Sequence, residues 1–133
     1  MDTSIGRFAK EKAISLRTRK RDGTWVATPV NIAVEGDHAY VRTWQGSGKS
    51  KRLRNFSDVQ IAPSTLRGRE TGPYVAARAQ LLNGEEAHHA AALLTRKHPL
   101  LHGVVVPFFH RLKGYTTQHY RVVLTPGIET TGR

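Results

Sequence analysis

The first clear pattern along the chain is an alternation of period two: Ile14, Leu16 and Thr18 are separated by Ser15, Arg17 and Arg19. Side chains of a strand point alternately to opposite faces, so this spacing predicts a half-buried strand. A short opening helix over residues 4–11 is expected ahead of it. Asp22-Gly23 supplies a hairpin turn. A second strand is expected at 24–34, with Val26, Val30, Ile32 and Val34 on one face and Trp25, Ala27, Pro29, Asn31 and Ala33 on the other. Pro29 is out of place there, because proline cannot donate to the ladder and belongs at an edge, at a bulge or beside something other than a strand. Glu35-Gly36-Asp37 turns the chain into a third strand at 39–43, and Val59, Ile61 and Pro63 predict a fourth that ends near Ser64.

A polar connection over 65–72 leads to a fifth strand at 74–82, with Val75, Ala77, Ala79 and Leu81 inward and Arg78 and Gln80 outward. Asn83 with Glu86 three residues on is a capping-box pattern. Ala87, Ala90, Ala91 and Leu94 then follow at helical spacing, the stripe of an amphipathic helix. A further helical stretch around 100–112 is expected to bend at Pro107. The last strand, 117–125, alternates Tyr120, Val122 and Leu124 against His119, Arg121 and Val123, and Pro126 stops it. Residues 1–7 and 127–133 read as flexible tails of a single domain. Six short strands joined mostly by tight turns, with two or three short helices, predict a mainly β fold with α: a small, closed, antiparallel, Greek-key-like barrel. Closure removes the sheet edges that so small a sheet would otherwise expose.

Composition narrows the function classes. The 133 residues hold 21 Lys and Arg against 10 Asp and Glu, a net charge of +11, which calls for an anionic partner. There is no cysteine, which excludes disulfides, thiolate metal sites and a cysteine nucleophile. The start of the chain, Met1 to Lys12, has no signal-peptide-like apolar segment, and the apolar run Pro99 to Phe109 is too short to span a bilayer, so a cytoplasmic protein is expected.

The densest chemistry lies in Thr43 to Phe56, where Gly46-Ser47-Gly48 adjoins Lys49, Lys51, Arg52 and Arg54. Glycines let backbone N–H groups face one concavity, a helix start adds its positive end, and the cations supply counter-charge, which together make a phosphate cradle. A solvated basic helix after a turn is the plain alternative. The nucleoside-triphosphate loop is excluded, since its leading glycine would fall at Thr43.

The motifs in order are Arg19-Lys-Arg-Asp-Gly-Thr24, Val26-Ala-Thr-Pro-Val30, Asp37 to Thr43, Gly46-Ser-Gly-Lys-Ser-Lys-Arg-Leu-Arg54, Ile61-Ala-Pro63 and Arg67-Gly68. In this order the chain resembles the split β-barrel flavin and deazaflavin oxidoreductases, the superfamily of pyridoxamine 5′-phosphate oxidase. It looks closest to the small actinobacterial PPOX-class F420-dependent oxidoreductases, and the resemblance runs from about residue 8 to Pro126. It implies a homodimer with two interfacial sites for coenzyme F420 or, as the alternative, FMN, and hydride transfer between the C5 of F420 and a small organic acceptor. Ala27, Thr28, Pro29, Val30 and Asn31 match the strand beside the ring system. Thr43, Ser47, Gly48, Lys49, Lys51 and Arg52 match the phosphate-holding loop and helix, and Pro63 and Ser64 approach the same cofactor. The chain departs from its relatives at Asn31, at Trp44-Gln45 and at Ser64.

No nucleophile or carboxylate pair is required for such chemistry, and none is legible. Water, His119 or Tyr115 are the candidate proton donors to substrate. His98 and His102 stand four apart, but no third ligand of defined spacing completes a zinc set, so no metal is expected. Two other classes are weighed: a non-catalytic flavin-, F420- or haem-binding module, which the sequence does not separate from an enzyme, and a nucleic-acid-binding domain, for which the basic runs speak but no recognition motif does. A small-molecule acceptor, with neither nucleic acid nor membrane as partner, is the expectation.

Overall fold

A computed structural model describes residues 5–44, 48–98 and 117–125. Six antiparallel strands close into a barrel: β1 (Ala13–Arg19), β2 (Trp25–Glu35), β3 (His38–Trp44), β4 (Asp58–Ser64), β5 (Val75–Leu81) and β6 (Thr117–Leu124). Their order around the barrel is β1-β2-β3-β6-β5-β4, with β4 closing on β1. All six fall where the alternation placed them. Among the described residues there are two α-helices, α1 (Gly48–Asn55) and α2 (Gly84–Lys97), and the barrel is the expected mainly β fold with α. No helix among them is long and apolar enough to cross a membrane.

The inward positions of the strands make the core. Ile14, Leu16, Ile32, Val41, Val59, Ile61 and Val122 are buried together inside the barrel. A second layer lies outside it: α2 seats Ala90 and Leu94 on Ala33, Tyr40 and Leu82. Ala33, placed by the alternation on the outer face of β2, is therefore buried by a helix. The stripe on α2 faces the barrel as its spacing predicts.

Strand order explains where α1 must go. β3 and β4 lie on opposite sides of the six-strand ring, so the chain between them has to cross the mouth of the barrel. That crossing is α1, and it is fastened at several points. Leu53 enters the core, Ser50 Oγ donates to Gln118 Oε1 on β6 at 2.7 Å, and Arg52 Nε donates to Thr18 Oγ1 on β1.

Several expectations are corrected. The opening helix is one 3-10 turn, Ile5–Phe8, and both residues are buried, so core packing already begins at Ile5. Asn83 makes no side-chain cap, and the capping-box reading fails. The backbone departs from a regular helix start at Gly84, whose φ of +61° is left-handed, and Ala87 N–H bonds the Asn83 carbonyl in place of its side chain. Leu81 has the inward parity but is 42% exposed. β4 begins at Asp58, which pairs with Arg78, so β5 overhangs it by three residues and, among the described residues, no strand stands beside Leu81 on the β4 side. His119 lies on the outer face yet is buried. The helix expected around 100–112, Tyr115 and the tail 127–133 lie outside the described residues.

Candidate functional site

The predicted site residues fall into two groups joined by β1. The first lies on the β2–β1–β4 stretch. Ile14 pairs with Val30 on one side and Pro63 on the other, and Ala13 pairs with Asn31 and with Ser64. Residues distant in sequence, Ala27 to Asn31 and Pro63-Ser64, thus flank a single strand. Alternation puts Ala27, Pro29 and Asn31 on the outer face and Thr28 and Val30 on the inner one. Asn31 Nδ2 donates to Lys12 O at 2.9 Å. Thr28 Oγ1 is buried without a partner among the described residues.

The connection from Thr65 to Tyr74 folds back over this face. A Cβ on Gly68, which has φ +95°, would stand 3.3 Å from Pro29 Cδ, and one on Gly72 would stand 2.7 Å from Pro63 Cγ. Two prolines that cannot donate to a ladder are instead closely approached by two glycines. Tyr74 holds the connection in place: its hydroxyl is 2.6 Å from Ser15 Oγ and donates to Glu70, and the Arg17 guanidinium lies 3.7 Å from the centre of its ring. Burial, followed by the bond to Glu70, raises the Tyr74 phenol above its ordinary value, so it stays a protonated donor. At the open end of the face is a depression of about 300 Å³ lined by Ala13, Pro29, Val30, Asn31 and Leu66. Leu66 is 60% exposed.

The second group is the start of α1. Lys49 is half-buried, and burial together with the neighbouring Arg52 charge holds its ammonium below the ordinary lysine value. Burial likewise lowers Arg52. The Arg52 guanidinium lies over the first residue of the helix, where a Cβ on Gly48 would come within 2.8 Å of Nη1. Lys49, Lys51 and Arg52 have no carboxylate partner among the described residues, and the first turn of α1 carries no acid. Cations crowded and partly desolvated in this way favour an anion nearby. Thr43 is buried on the inner face beside its strand partner Gln118, and Ser64 gives its hydroxyl to Thr65 O. Ser47 lies outside the described residues.

Arg52 reaches Thr18, the partner of Val26, so the cationic group meets the first one at its Ala27 end. From Thr18 to Ala13 is about 17 Å of strand. His119, by contrast, sits on β6, across the barrel from β1. Sequence reasoning missed Ala13, Leu66, Thr18 and the Ser15–Tyr74–Glu70 network. Ser15 and Tyr74 are separated by 59 positions, and no local pattern links them.

A six-stranded barrel of this order, with one helix across its mouth and another on its side, is a split β-barrel. Solved structures with the same fold include HutZ, the haem storage protein of Vibrio cholerae, at TM-score 0.69 and 14% identity over 92% of this chain and 89% of that one. A candidate pyridoxamine 5′-phosphate oxidase from Listeria innocua aligns at TM-score 0.61 and 11% identity, covering 90% and 89% of the two chains. An FAD-binding protein from Mesorhizobium loti aligns at TM-score 0.52 and 17% identity, covering 89% and 84%. At these identities the likeness establishes the fold. No protein-family model matches the sequence, and no curated protein does.

Proposed function

We propose that this chain is an oxidoreductase that binds coenzyme F420 at a homodimer interface. The observation that carries the reading is the uncompensated cationic start of α1, which adjoins a neutral strand face built around Pro29 and Pro63. An anionic end and a flat neutral body match these two parts in turn. F420 carries a phosphodiester and several carboxylates, and a chain of net charge +11 suits that polyanion better than the single phosphate of FMN.

When bound, the deazaflavin supplies hydride transfer between its C5 and a small organic acceptor. The chain's part is binding and orientation. Lys49 and Lys51 hold the phosphate against the helix start, while Arg52, fixed by Thr18, adds a donor whose direction is already set. Ala27, Pro29 and Asn31 form the wall for the ring, with Thr28 and Val30 behind it and Pro63 and Ser64 at its far end. Tyr74 and Arg17 keep the 65–74 connection on β1 beside that wall. A second copy of the chain laid over the depression covers Leu66, which favours the dimer.

Flavin or haem binding without turnover is the second reading, favoured by the FAD-binding and haem-storage neighbours. Equilibrium titration of the purified chain with oxidised F420, FMN and haem in parallel tests both. Saturable binding tightest for F420 is expected. Tighter binding of FMN or haem moves the assignment to that ligand, and no saturable binding of any of the three overturns the cofactor reading.

A further inference from the structure

On the far side of the barrel from β1, the overhang of β5 leaves a gap that none of the site residues above occupies. Ala79 N donates to Ser57 O at 2.9 Å, the last tie between β5 and the β4 side among the described residues, and Gln80 and Leu81 continue paired with β6 alone. The end of α1 roofs this gap. The result is a cavity of about 350 Å³ with Leu53, Ala79, Leu81 and the Tyr120 ring as apolar walls.

Two arginines, Arg54 from α1 and Arg78 from β5, also line it. Neither guanidinium has a hydrogen bond or a carboxylate partner among the described residues. For Arg78 this is telling, since the register places Asp58 directly opposite it. The Asp58 carboxylate is taken by Arg19, which also lies over the Phe56 and Trp25 rings and is thereby held away from the cavity. The fork of a guanidinium matches a carboxylate in a bidentate way, and a small apolar chamber accepts a ring or a branched chain.

We propose that this cavity is a second ligand site, taking a compact monocarboxylate whose aromatic or branched body fills the chamber while its carboxylate meets Arg54 and Arg78. It is separate from the cofactor reading, because none of Ala27 to Asn31, Pro63, Ser64, Lys49, Lys51 and Arg52 lines it. A ligand here touches the C-terminal end of α1, the helix whose other end carries Lys49. Occupancy therefore bears on the helix as a body.

The test is a titration of the full chain with sodium phenylacetate, 2-phenylethanol and inorganic phosphate, followed by amide shifts in a proton–nitrogen spectrum. Phenylacetate is expected to shift Leu53, Ala79, Leu81 and Tyr120 saturably, and the neutral alcohol to bind at least tenfold more weakly, as loss of a charge-assisted bond implies. Arg54→Gln and Arg78→Gln, which break no bond in the fold, should each weaken phenylacetate by roughly tenfold. Four results overturn the proposal: no saturation, equal affinity for the alcohol, unchanged affinity in both variants, or shifts centred on Lys49 to Arg52. The last of these, if phosphate gives the same shifts, assigns the anion to the cradle instead.

Discussion

Lys97 closes α2 onto the barrel, and its removal gives a measurable cost. Its ammonium donates to three backbone carbonyls, Glu11 O at 2.6 Å, Ile32 O at 2.8 Å and Ala9 O at 3.1 Å. These belong to the 3-10 turn and its exit and to β2, one residue from Asn31. Burial pushes the Lys97 ammonium below the ordinary lysine value, with Glu11 opposing, so the bonds are made against a desolvation cost. A hydrogen bond to a charged group contributes about 1.5–3 kcal/mol, and three sharing one ammonium are not additive. In Lys97→Met the stem still packs, Ile32 O keeps the His98 ring at 3.1 Å, and the outer carbonyls regain water. The expected loss is therefore about 2–3 kcal/mol, or roughly 6–12 °C in melting temperature for a chain of this size. Urea unfolding followed by circular dichroism should show a lower midpoint at unchanged slope. A loss under about 0.5 kcal/mol would refute the view that this ammonium ties the N-terminal turn, α2 and the site strand together.

Three further outcomes are expected. Gly48→Ala leaves thermal stability nearly unchanged, since φ there is ordinary, but displaces Arg52 and should weaken cofactor affinity about three- to tenfold in a fluorescence titration. Tyr74→Phe removes the bonds to Ser15 and Glu70 while keeping the ring under Arg17; about 1 kcal/mol of stability should go, and limited proteolysis should cut faster between Thr65 and Thr71. Burial, the largest influence, holds the His98 imidazole below the ordinary histidine value, the bond to Ile32 O opposing it. A depressed folded-state value means the unfolded chain binds the proton more readily, so this stability is present above the ordinary histidine range and is lost as pH falls through it. Melting temperature should drop between about pH 7.5 and pH 5.5, and drop less in His98→Gln.

The barrel was legible because its strands keep a strict alternation: Ile14, Leu16 and Thr18 face the core, and β1 pairs with β2 through the Asp22-Gly23 hairpin. Pro29 was legible as an anomaly, and the structure gives it a neighbour, Gly68, that no local pattern names. Parity alone misled at Leu81, since alternation tells which way a side chain points but not whether a wall stands there. The Asn83–Glu86 pattern misled because a cap depends on the backbone of the intervening Gly84. The basic run was readable as a cradle from residue type. That it spans the barrel mouth, with Arg52 held by Thr18, depends on strand order, which becomes fixed only when β6 enters between β3 and β5.

The central claim is that Lys49 and Arg52 hold the anionic end of a deazaflavin. Its most direct test is an F420 titration of the wild-type chain beside the Lys49→Ala, Arg52→Ala double variant, with circular dichroism to verify the fold. Two lost charge-assisted contacts predict affinity reduced by about a hundredfold or more with the barrel intact. Unchanged F420 affinity in a folded double variant would contradict the account.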